Sequence, residues 1–317
     1  MPPDRIFTDE ELRVLGLRSV DALAEALEAG DLDAARGFVK RLRREVLSMI
    51  RNYDGWEETL LAWVERELED ASRSDVLGAI EDFETAPERG GDGEDPVPRW
   101  KDAIDEILAA VEAADASTAQ ERARALHDEA LIRHDRGMSR VSAILSWIGR
   151  RAGVDGLANA LHEAMSAEML GDAGFRERAE ALTHFTRVHL QPVPLEEDDE
   201  KLTFACAVCP SGGRMIADGH YAPPRDDLVV RGPRPLTYGR DEIPVYCCHE
   251  PIMEMDSIAR TGVPLFIVEP AERLGFETCK TYLYKRPEDI PERYYARLGL
   301  DKAKSLARAR DREGEKR

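Results

Sequence analysis

The stretch VYCCHEPIME, Val245 to Glu254, sets two thiols, one imidazole and two carboxylates within ten residues of a chain that has five cysteines in all. Thiolate and imidazole are ligands that zinc prefers, and a carboxylate beside them can serve as general acid or base. The other cysteines are Cys206 and Cys209, a C-x-x-C leading into the turn PSGG, and Cys279 in GFETCKTYLYK. Read as a strand, the segment through Cys247, Cys248 and His249 turns Cys247 and His249 to one face and Cys248 to the other. The same alternation groups Cys279 with Thr281 and Leu283. Three strands that each bring thiolate or imidazole to one place give the expected ligand set Cys209, Cys247, His249 and Cys279. A competing set exchanges Cys279 for Cys206. Zinc is the expected metal, with iron as the alternative. Metal-free cysteine catalysis and inert buried thiols are the competing readings of the same residues.

With one coordination position open, a zinc ion lowers the pKa of water and polarises a carbonyl or C=N bond, which suits hydrolysis of a small amide-like or heterocyclic substrate. Glu254 is the expected acid/base, with Glu250 as its neighbour. The turn Pro210 to Arg214 offers backbone N–H groups and the Arg214 guanidinium to a substrate carboxylate, or is a plain turn with a surface arginine. His127 and His134 lie seven apart, two turns along one helical face, with Asp128 and Asp135 beside them. They are read as candidates for a polar pocket, against the plainer reading of a solvated face. Four protein ligands with no open position would instead make the zinc structural, in a non-enzymatic interaction protein.

The order Cys209-Pro210, then Cys247, then Gly275 to Cys279 resembles the L-2-amino-thiazoline-4-carboxylic acid hydrolase-like proteins, over roughly residues 180 to 285. That resemblance implies a helical region followed by a small cysteine-bearing α/β domain. It also implies hydrolytic ring opening of a small nitrogen- and sulfur-containing heterocycle, with Cys209, Cys247 and Cys279 at the matching positions. The added Cys206, Cys248 and His249 depart from the pattern.

The elements that must hold these residues fall into two halves, giving an expected α+β fold. Residues 1–190 are rich in Ala, Leu, Glu and Arg at helical spacing and read as an all-helical domain. Thr8 with Glu11 and Ser117 with Gln120 read as capping boxes, and Asp31 after Gly30 as a helix start. The proline- and glycine-rich stretch Thr85 to Pro98 reads as a loop. An offset of 84 lays LLAWVER, which contains Trp63, on ILSWIGR, which contains Trp147, and predicts a duplicated helical unit over about 31–82 and 115–166. Residues 195–300 turn to β-branched residues, prolines and all the cysteines, and read as a small, mainly antiparallel α+β domain. Within it one helix is expected to open at Pro251 and stop at Gly262, and the acidic run EEDDE is expected to be solvated. Residues 301–317 form a basic tail.

A net charge of −19 with no basic face in the folded part argues against nucleic acid. No apolar run of eighteen residues and no leader segment point to a membrane or to secretion, so a cytoplasmic, reduced protein is expected. G-x-G-x-x-G, P-loop, G-x-S-x-G and H-E-x-x-H signatures are missing. The expected partner is a small-molecule substrate, and the acidic helical half is a candidate surface for a homodimer.

Overall fold

The computed structural model describes residues 5–81, 95–165, 173–206 and 208–315, without the side chains of 81 and 309–315. Most of the expected loop at 85–98 therefore lies outside the described residues, as do residues 82 and 166 at the ends of the two expected units.

The first half is helical. Thr8 caps α1 (Asp9–Gly16) with the expected capping box, and α2 (Ser19–Glu28) follows. Gly30, at φ +71°, turns the chain so that Asp31 can cap α3, Leu32–Glu67, by accepting from Ala34 N–H at 2.9 Å. Thirty-six residues make a rod roughly 54 Å long. After α4 (Arg73–Glu81), Val97 opens α5 (Val97–Glu112), with Pro98 in the first turn where its missing N–H costs nothing. Ala114, at φ +54°, then repeats the turn, and Asp115 caps α6 (Ala116–Ala164) through Thr118 N–H at 3.0 Å. The cap of α6 is thus Asp115, not Ser117 as expected. Its position and that of the left-handed residue before it both repeat those of α3 at the offset of 84. Gly153 breaks the helical path of α6, and the same offset carried back from it falls close to Glu67, where α3 ends.

The pairs Tyr53–His134, Glu57–Arg140 and Glu163–Arg66 climb both long helices in the same direction, so α3 and α6 run parallel. Apolar residues at helical spacing seal them together, among them Val46, Met49, Leu60 and Val64 of α3 and Val141, Ile144 and Ile148 of α6. Glu45 of α3 is buried between Arg187 Nε at 2.7 Å and Ser19 Oγ at 2.6 Å. Arg187 lies at the end of α7, Phe175–Arg187, so this carboxylate fastens three helices.

The second half contains a four-stranded antiparallel sheet in the order β1 (Leu195–Glu197), β2 (Lys201–Phe204), β6 (Lys280–Tyr284), β5 (Ile267–Glu269). A two-stranded ribbon pairs β3 (Val229–Arg231) with β4 (Glu242–Pro244). Short helix α8 spans Gly212–Ala217, α9 spans His249–Thr261, and α10 (Glu292–Ala296) and α11 (Lys302–Glu315) close the chain. The acidic run is not uniformly solvated. The Glu197 side chain is fully buried, accepting from Ile6 N–H and Phe7 N–H and pairing with Lys285 at 2.8 Å. The two halves share one continuous apolar core, running from Leu42 and Val64 to Leu202, Tyr246 and Leu283. Among the described residues no helix is long and apolar enough to cross a membrane.

Candidate functional site

Strand β4 stops at Pro244, and Val245–Cys248 coil into a single 3₁₀ turn that runs straight into α9. The expected alternation across Cys247, Cys248 and His249 therefore does not apply, because these residues are not in a strand. His249 is the first residue of α9, and Pro251 sits in its first turn rather than opening it, a place where proline is tolerated. Gly262, left-handed at φ +80°, ends the helix as expected.

The turn nevertheless delivers what alternation promised. Cys209, Cys247, Cys279, His249 and Glu250 all line one cleft, together with Cys206, Ser211 and His189. It encloses about 880 Å³, open water at its mouth included. Two glycines make the thiols fit. A Cβ on Gly212 would stand 2.5 Å from Cys247 Sγ, and one on Gly213 would stand 2.8 Å from Cys209 Cβ. Cys279 precedes β6 and accepts the Ala271 N–H at 3.4 Å, while Thr281, two residues on, lines the same wall. Cys248 points away, fully buried, with its S–H toward the Pro244 carbonyl. All five thiols are unpaired.

Burial dominates the acidity of Cys206, Cys247, Cys248 and Cys279. It pushes the Cys279 thiol up to about 11 and the Cys206 thiol up to about 12. Cys247 is driven well above the usual thiol range by burial first and then by Cys209 and Cys279 beside it. His249 donates Nδ1–H to the Tyr246 carbonyl at 2.6 Å, which leaves Nε2 turned to Glu250 at 3.2 Å. Burial opposes its charged form, but Glu250 outweighs it and raises the imidazole above its ordinary value.

Behind the cleft lies a hydrogen-bonded relay that the sequence reading found only in part. His134 of α6, fully buried, donates Nδ1–H to Asp135 at 2.8 Å, and Asp135 also takes the Arg214 guanidinium at 2.5 Å. His134 Nε2 is then an acceptor, 2.8 Å from His189 Nδ1 and 3.2 Å from the Tyr53 hydroxyl. His189 therefore carries its proton on Nδ1, and its Nε2 is left without one. Burial first, then His134, holds His189 well below the ordinary histidine range. Tyr53 in turn meets the Tyr246 hydroxyl at 3.2 Å, and Trp56 packs edge-on against Tyr246 and His249. The expected candidates His134 and Arg214 thus stand one hydrogen bond or more behind the cleft wall.

Glu254 and His127 do not join the site. Glu254, one turn along α9 from Glu250, is buried behind the cleft wall, accepting from Tyr238 O–H at 2.6 Å, Val268 N–H at 2.8 Å and Arg297 at 2.9 Å. Burial nonetheless pushes its carboxyl up to about 7. His127 donates Nε2–H to the Leu190 carbonyl at 3.0 Å and fixes the chain leaving α7. His189 was missed because it follows the end of α7 with no motif around it. Among the described residues, no group of three or more His, Cys, Asp or Glu side chains is arranged to hold a metal ion. No known protein family, curated protein or solved structure matches the chain, so the site stands on its own residues.

Proposed function

We propose that the chain is a hydrolase of C–N bonds in small amide-like or heterocyclic molecules, its cleft binding a zinc ion through Cys209, Cys247, Cys279 and His249. The observation that carries this reading is the convergence of those four residues, from three separate segments, on one cleft. Two local features support it. The Nδ1–H bond of His249 to the Tyr246 carbonyl is the arrangement that orients a ligating imidazole, whose Nε2 would give up its contact with Glu250 to take the metal, and the Ala271 N–H favours thiolate at Cys279. The thiols would have to turn toward a common point as the ion binds and their protons leave. With one of the four ligands labile, so that a coordination position opens, a zinc ion would supply Lewis-acid polarisation of the scissile bond. Glu250 takes the acid/base role that the sequence reading gave first to Glu254, since Glu250 lines the cleft and Glu254 is saturated by Arg297, Tyr238 and Val268.

We further propose that the helical half is a duplicated unit. Matching aspartate caps and matching left-handed residues at the same offset support a common origin for the units of about 31–82 and 115–166, which begin with α3 and α6.

Elemental analysis of the purified chain tests the metal. About one zinc per chain is expected, falling at least several-fold in C209S, C247S and C279S, as loss of a thiolate ligand requires. A parent chain without metal, or full occupancy in all three variants, refutes the zinc site.

A further inference from the structure

The walls of the cleft differ from what the expected substrate carboxylate would need. Leu182, Phe185, Phe204, Ile243, Phe266 and Leu274 make most of its surface apolar. Among the described residues, the only lining side chains that bear charge are His249 and Glu250, and they face each other at 3.2 Å. Among the described residues, no lysine or arginine lines it. Arg214, the guanidinium expected to receive an anion, does not line the cleft; its Nη1 pairs with Asp135 behind the wall and its Nη2 is buried without a hydrogen-bond partner among the described residues. The whole chain carries −19, which adds a repulsive field for any anion that approaches.

The rim continues the apolar surface outward. Four large hydrophobic side chains are exposed among the described residues: Ile132, Phe185, Val208 and Phe276. Three of these four belong to segments that build the cleft. Phe185 lines it, Val208 precedes Cys209, and Phe276 is two residues beyond Leu274. Val208 Cγ1 and Gly275 Cα stand 3.8 Å and 3.6 Å from where a Cβ of Gly213 would be, so these two segments lie side by side. Phe276 is 73% exposed, a large apolar surface left in water beside a concave apolar wall.

We infer that the ligand of this cleft is an uncharged molecule with an aromatic or aliphatic body, which lies along Phe185, Val208 and Phe276 while its polar end meets the thiols and His249. This deepens the reading of the cleft as a small-molecule site, and it does not depend on the metal.

Two fluorescent probes with one aromatic framework test it: neutral N-phenylnaphthylamine and its anionic counterpart, anilinonaphthalene sulfonate. Titrated into the full chain, the neutral probe is expected to bind at least about tenfold more tightly than the sulfonate, a difference of 1.4 kcal/mol. F276S and F185S, at exposed positions where folding has little to lose, are each expected to weaken the neutral probe by about fivefold or more, in line with the apolar area removed. The neutral probe is also expected to shield Cys209 and Cys279 from N-ethylmaleimide, read by peptide mass. Equal or tighter binding of the sulfonate, unchanged affinity in both variants, or unshielded cysteines would overturn the inference. So would a parent chain that pairs through this rim into a dimer and binds no probe. Chain stripped of metal that still binds the neutral probe upholds the inference, whatever elemental analysis says of zinc. Chain that holds zinc and ignores the probe refutes the apolar ligand alone.

Discussion

Gly212 gives the sharpest check on the geometry of the cleft. Its backbone does not adopt the left-handed conformation, so alanine is allowed there as far as the main chain is concerned. In a short helix such as α8, replacing glycine by alanine at a compatible position stabilises by about 0.5–1 kcal/mol through the unfolded chain. Against this stands the 2.5 Å approach of the new Cβ to Cys247 Sγ, about 1 Å inside ordinary contact. Overpacking of that kind costs about 1–3 kcal/mol. The next neighbour, Tyr246 Cδ1, would sit at an unstrained 3.7 Å, so the sulfur alone carries the clash. G212A is therefore expected to destabilise the chain, whereas the same change in a C247A background is expected to be neutral or stabilising. Urea unfolding of the parent, G212A, C247A and the double variant closes the cycle; the glycine-to-alanine gain is common to both backgrounds and cancels, so a coupling of about 1–3 kcal/mol is the expected result. A coupling below about 0.5 kcal/mol, within the scatter of independent sites, would show that Cys247 does not lie against Gly212.

Two further expectations concern buried charge outside the cleft. E45Q leaves Arg187 and Arg41 without their carboxylate at a site only 2% exposed, and is expected to cost about 3–5 kcal/mol in urea unfolding at neutral pH. A loss under about 1 kcal/mol would mean that the helices are not fastened there. Glu254 makes stability depend on pH. Its folded carboxyl keeps its proton up to about 7, whereas the unfolded one releases it near 4.5. The folded state thus binds the extra proton between those values, and the stabilisation, complete below the lower one, is lost as pH rises through the upper. Between pH 5 and 8 the parent is expected to lose up to about 3 kcal/mol relative to E254Q. Parallel pH profiles for the two chains would contradict that order of affinities.

The sequence carried the helical half and the cysteine cluster because each depends on local rules. Asp31 and Thr8 cap helices by side-chain bonds that reach only three residues, and apolar residues at helical spacing make the seam between α3 and α6. The path after Pro244 was read as a strand because Val245 and Tyr246 favour one. A single hydrogen bond from Val245 N–H to the Leu228 carbonyl is the last link to the ribbon, and beyond it the 3₁₀ turn closes on itself. Glu254 looked like a base because it follows the cysteines. Only the distant Arg297, 43 residues on, shows where that carboxylate goes. The relay through Tyr53, His134 and His189 joins positions up to 136 residues apart, and no spacing rule reaches that far.

The aromatic and imidazole cluster of Tyr53, Trp56 and His134 belongs to the helical half, yet it forms the back of a cleft whose thiols all come from the other half. The chain is therefore not modular in the sense its composition suggests. Grafting residues 195–300 onto a different helical partner would transplant every cysteine and leave Tyr246 and His249 without Tyr53, Trp56 and His189. Any change on one side of that seam has to be answered on the other, so the two halves can only be exchanged, or evolve, as a matched pair.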